Sequence, residues 1–222
     1  MAQEEDKKQL FEKIIQEARE LIDKIEDPNR RAFLATDIAG ITHKTEDIEK
    51  AIEKYREMED SYWKNLEKKS IVEVLAKLGD LERAREFANS FSKPDWRSES
   101  LIDIARVTSD PKDFEQAEQS IKEVKNSVAR NRCLIALISI LARAGNIERA
   151  KVLANEIEDI NHKDKDTNSW SEAMRTIVSA LVDAKDLKQA GELVSEIKSP
   201  YQKTQALLSI ASALAKDNRS AK

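Results

Sequence analysis

The chain has 222 residues, 38 of them Lys or Arg and 42 Asp or Glu, so its net charge of -4 does not describe a strongly nucleic-acid-seeking surface. Apolar residues supply 40% of the chain and only four Gly and four Pro interrupt it, which argues against disorder and against a turn-rich β fold. Cys133, the single cysteine, excludes a disulfide framework within one chain and reads as a small buried hydrophobe in the apolar run CLIALISILA.

No segment reaches the run of ~18 apolar residues that spans a bilayer. The opening MAQEEDKKQL lacks the apolar stretch of a secretory signal. A soluble, cytoplasmic protein without membrane contact is expected.

In chain order the predicted elements are all helices, because apolar positions recur at three- and four-residue spacing and not at the strand spacing of two. The first, 5–25, follows the polar stretch AQEEDKKQ and carries Ile15, Ala18 and Ile25. Pro28 parts it from the second, 29–43, with its apolar pair Ile38 and Ala39. The third, 47–58, repeats the first through Ile48, Ala51 and Met58, each 33 residues on. The fourth, 61–78, repeats the second through Ile71 and Val72. The alternation continues through 80–91, 95–108, 111–125, 128–144, 146–159, 168–184, 186–197 and 200–217, twelve helices in all.

The period is fixed most firmly by an alanine four residues after an Asp or Asn: Ala51, Ala84, Ala117, Ala150 and Ala190, at steps of 33, 33, 33 and 40. Ala18 lies one further period back. The long step implies an insertion, which the polar stretch NHKDKDTNS (161–169) supplies. Asp47, Asp80, Asp113, Asn146 and Asp186 stand where a side-chain oxygen can accept from the free amides of a first helical turn. Gly79 and Gly145 precede two of them, where a helix closes in the left-handed region. Pro28, Pro94 and Pro200 share one phase at helix boundaries. A pair of helices this short cannot bury its apolar stripe alone, so successive pairs are expected to stack as one domain over 1–222, an all-α solenoid whose first helix opens on polar residues (AQEEDKKQ) and whose last ends on them (KDNRSAK).

The blocks GDLERA and GNIERA, with the apolar spacing of Ile71, Val72 and Leu75 or of Leu134, Leu137, Ile138 and Leu141 before them, resemble the hinge and first helix of the tetratricopeptide repeat (TPR). The resemblance extends over all six registers, although aliphatic residues and Ala replace the family's Trp, Leu-Gly and Tyr. The TPLHxA turn of the other 33-residue family, the ankyrin repeat, is absent. The resemblance implies a right-handed superhelix of about six antiparallel pairs and a non-catalytic scaffold that binds protein or peptide on its concave face.

Carried over by position, that face consists of Lys44; Lys69, Glu73 and Lys77; Glu99 and Arg106; Arg132, Ser139 and Arg143; and Glu172, Arg175 and Asp183. Its basic residues imply an acidic peptide or a C-terminal carboxylate as ligand, since Arg pairs bidentately with carboxylates. The Lys and Asn set of the family's carboxylate clamp is not reproduced at Thr36, Lys69, Ile102 and Ile135. The plain structural alternative is a solvated helix face, on which exposed ion pairs contribute ~0.3–0.5 kcal/mol each. Tyr62, Trp63, Trp96, Trp170 and Tyr201 open first helices, either as a contact edge or as packing over the turn before them.

His43 and His162 stand far apart with no second ligand at metal spacing, and no phosphate loop or nucleophile elbow occurs, so neither enzyme nor cofactor is expected. Two other functions stay open. A helical array can read RNA base by base, which the acidic total disfavours. The apolar last helix, YQKTQALLSIASALAK, can also accept a neighbour in self-association.

Overall fold

A computed structural model describes residues 2–157 and 169–220. Among the described residues there are twelve helices and no strand: α1 (Ala2–Ile22), α2 (Pro28–Thr42), α3 (Thr45–Glu57), α4 (Tyr62–Leu78), α5 (Leu81–Asn89), α6 (Pro94–Thr108), α7 (Pro111–Lys122), α8 (Ser127–Arg143), α9 (Ile147–Ala154), α10 (Ser169–Asp183), α11 (Leu187–Val194) and α12 (Pro200–Ser220). Each corresponds to an expected helix. The expected insertion loop, with His162, lies outside the described residues except for Ser169, the first residue of α10.

Proline opens α2, α6, α7 and α12, where the missing N–H is one that a first turn leaves unbonded in any case. The hinges that close the even-numbered helices are of two kinds. After α4, α8 and α10 the chain turns at Gly79 (φ 83°), Gly145 (φ 82°) and Lys185 (φ 61°). There the amides of Asp80, Asn146 and Asp186 reach back to the carbonyls of Leu75, Leu141 and Leu181 at 3.0, 2.8 and 2.9 Å, which satisfies carbonyls that the helix end strands. Asp80 and Asp186 then cap α5 and α11, accepting from the amides of Arg83 and Gln189. Asn146 holds the same position before α9 without the expected side-chain bond.

After α2 and α6 the left-handed residue comes earlier, at His43 (φ 53°) and Ser109 (φ 52°). The following helix therefore gains residues at its start, and Asp47 and Asp113 fall inside the first turn of α3 and α7 instead of capping them. Asp110 caps α7 through the amide of Lys112, and Lys44 precedes α3 without a side-chain cap. The displaced carboxylates are buried and accept from the preceding threonines, Thr42 Oγ1 to Asp47 at 2.6 Å and Thr108 Oγ1 to Asp113 at 2.8 Å.

The chain divides into two compact units, Met1–Val107 and Thr108–Lys222. In the first, α1 packs on α2, α2 on α3 and α4, α3 on α4, and α4 on α5. Ile48, Ile52, Ile71, Leu75, Ile102 and Ile104 are its fully buried large side chains. In the second, α7 packs on α8, α8 on α9 and α10, α9 on α10, α10 on α11 and α12, and α11 on α12. Its interior is built from Ile121, Leu137, Ile138, Leu153, Ile177 and Leu193. Ala51, Ala84, Ala117, Ala150 and Ala190, the residues that fix the period, are all 0% exposed. A side chain this small lets a neighbouring helix pack closely against it. Cys133 is buried in α8, and among the described residues no helix is long and apolar enough to cross a membrane.

Candidate partner-binding faces

The expected contact residues of the first unit are bound to one another. Lys69 Nζ donates to Glu99 at 3.0 Å and lies 3.5 Å from Asp103, which also accepts from Arg106. Burial pulls the Lys69 ammonium down, and Asp103 with Glu99 outweighs it, so the net shift is upward. Two turns on, Lys77 pairs with Glu73 at 2.7 Å, and Lys44 reaches Glu12 at 3.0 Å. The basic character expected of this face is thus balanced by the chain's own carboxylates.

In the second unit the candidates separate. Arg132 and Arg143 are exposed on α8 with Ser139 half-buried between them, and Glu172 is half-buried on α10. Arg175 and Asp183 come together in a groove of 730 Å³ between α10 and α12. Lys185 and Leu187 from the α10–α11 hinge and Leu208 and Lys216 from α12 complete its character, with Ser179, Ser209 and Ser212 as neutral donors. Arg175 and Lys185 stand against the single carboxylate of Asp183, and Leu208 is 63% exposed. Arg175 is held in place. Its Nε donates to Gln202 Oε1 at 2.7 Å, and the backbone N–H of Gln202 in turn donates to Ser199 Oγ. The guanidinium has further N–H donors on its terminal nitrogens.

Lys185, Lys216 and Leu208 escaped sequence reasoning. The phase that marks the inner positions of first helices assigns no role to a hinge residue such as Lys185 or to the next helix's own flank.

The aromatic residues form a ladder in the first unit: Phe33 against Trp63 at 6.2 Å, Trp63 against Tyr62 at 5.7 Å, Tyr62 against Trp96 at 5.6 Å and Trp96 stacked on Phe91 at 6.1 Å. The ladder runs from the half-buried Phe33 to the buried Phe91, and its middle pair, Trp63 and Tyr62, is exposed. Trp170 Nε1 donates to Asn155, and the exposed Tyr201 accepts from Gln205.

Glu67 was not anticipated as a special residue. It is fully buried in α4, and one carboxylate oxygen accepts from Thr36 Oγ1 while the other has no partner among the described residues. Burial pushes its carboxyl up to about 7 against the Thr36 bond, with Asp37 adding to the rise.

No protein-family model matches the chain, and no curated protein matches it. Among solved structures, the crystal structure of Ton1535 from Thermococcus onnurineus NA1 is similar over 91% of this chain and 85% of that one, at 16% identity and a TM-score of 0.35.

Proposed function

We propose that the chain is a TPR-like α-solenoid acting as a non-catalytic, cytoplasmic scaffold for protein or peptide, and that the groove between α10 and α12 holds an acidic, amphipathic segment of the partner. The groove carries this reading. Its 730 Å³ lies in the range of pockets that bind small ligands and side-chain anchors, and it joins an excess of cations to an exposed leucine. An Arg whose Nε is already fixed loses less freedom when its terminal nitrogens pair with a carboxylate. The sequential packing of helix pairs and the constant burial of the period-fixing alanines support the repeat architecture.

The test uses a short labelled peptide with leucine and glutamate at helical spacing, followed by fluorescence anisotropy. Saturable binding is expected, weakened by tenfold or more, about 1.4 kcal/mol, in Arg175→Glu. Lys77→Glu, in the self-paired face of the first unit, should leave it unchanged. Equal binding by wild type and Arg175→Glu would remove the groove assignment.

A further inference from the structure

The repeat phase makes helices comparable position by position, and one comparison is out of line. In α8 the residues Leu134, Leu137, Ile138 and Leu141 are at most 3% exposed, and so are their counterparts in α10, Met174, Ile177, Val178 and Leu181. The same phase in α12 is Leu207, Ile210, Ala211 and Leu214. It keeps the apolar character, yet Leu207 is 50% and Leu214 49% exposed. These positions lie on a different side of α12 from Leu208 and Ser212, which line the groove.

A second uncovered stripe runs along α1. Leu10, Ile14 and Leu21, at spacings of four and seven, are 58%, 55% and 51% exposed, beside the buried stripe of Ile15 and Ile22. Leu21 shares its phase with Leu153 of α9 and Leu193 of α11, which are 0% and 2% exposed. Thus α12 presents the face with which an even-numbered helix meets its neighbours, and α1 presents at Leu21 a position that α9 and α11 bury, flanked on one exposed stripe by Leu10 and Ile14. The two helices are also opposite in charge. α1 carries six carboxylates against four cations, and α12 three cations against one carboxylate.

We infer that the partner for these faces is a second copy of this chain, with α1 of one copy packing on the Leu207–Leu214 stripe of α12 of the next. The contact extends the even-to-odd packing seen in α4 with α5, α8 with α9 and α10 with α11 across a molecular boundary. It is heterologous, since each copy uses a different face at either side, so assembly proceeds head to tail into rings or open filaments. This inference does not rest on the groove reading, because none of its residues lines the groove.

Sedimentation velocity over a concentration series tests it with the full chain. Wild type is expected to grow in size with concentration, less so at high salt. Ile14→Glu and Leu214→Glu should each be monomeric with unchanged helical circular dichroism. An equimolar mixture of the two should form a one-to-one dimer, because the intact α12 of the first receives the intact α1 of the second. Leu21→Glu and Leu207→Glu replace them should either lose ellipticity. A wild type that stays monomeric throughout overturns the inference. Association of Ile14→Glu by itself overturns it too, since α12 would then pair with α12. Arg175→Glu should assemble as wild type does, which separates this result from failure of the groove assignment.

Discussion

Two buried carboxylates in the first unit face opposite balances of burial and pairing. Burial alone raises the Asp47 carboxyl, but Arg19 meets it with Nε at 2.9 Å and Nη2 at 2.7 Å, the Thr42 hydroxyl adds a third bond, and the sum holds it below the usual range. Removing the fork leaves a charge that is 2% exposed without its partner. Arg19→Ala is therefore expected to lower stability by ~3 kcal/mol in urea unfolding at pH 7. Its effect should shrink as pH falls through the depressed Asp47 pKa, where the native carboxylate takes up a proton. Glu67 is the reverse case. Its folded pKa of about 7 lies above the unfolded value, so the native state holds the proton more tightly. Its contribution is fully present at low pH, falls as pH rises from the unfolded value through about 7, and is then constant. Glu67→Gln should remove that slope, worth about 3 kcal/mol across the window. Urea midpoints of the two proteins at pH 5 and pH 8 check this; parallel pH profiles would refute it.

At the scale of the element, a hinge and a helix interior make opposite demands on glycine. Gly79 has φ 83°, and a Cβ there would meet nothing within 4 Å, so any cost of Gly79→Ala comes from the backbone alone. A loss of ~1 kcal/mol is expected. Gly191 sits inside α11, also with open space around a new Cβ, and Gly191→Ala should raise stability by about 0.5–1 kcal/mol. Thermal midpoints of the pair should move in opposite directions. Hinge type also accounts for the likeness of residues 75–88 (LAKLGDLERAREFA) and 141–154 (LARAGNIERAKVLA), identical at seven of fourteen positions. His43 and Ser109 are 66 residues apart, as are Gly79 and Gly145, so over these four hinges the 33-residue unit alternates between a threonine-linked and a glycine-linked turn. Thr42 and Thr108 carried that signal in the sequence. It went unread because the alanine anchor is the same in both kinds.

For the whole molecule, packing between neighbours within two compact units makes stability local. Leu193 is 2% exposed in α11. Leu193→Ala should cost ~3 kcal/mol. Hydrogen exchange should show the loss in α10, α11 and α12, with the amides of α2 to α4 protected as before. Uniform loss along the chain would mean that the two units unfold as one.

Periodicity by itself determined the helices, their number, and the face each apolar residue occupies, because a regular helix converts spacing directly into direction. The resemblance to the TPR, and not the periodicity, implied that Arg175 and Asp183 are inner-face residues. What periodicity left undecided is what covers a face. Leu181 and Leu214 share one phase and one residue type, yet one is 3% and the other 49% exposed, since burial is set by the neighbouring helix and not by the residue's own. The same holds for charge. Lys69 looks available in sequence until α6 brings Glu99 and Asp103 against it, and Asp47 looks like a cap until an earlier hinge lengthens α3 and Arg19 arrives from α1. Direction is a local property of the backbone. Coverage and pairing depend on contacts between residues 28 to 34 positions apart, and only the packed helices fix those.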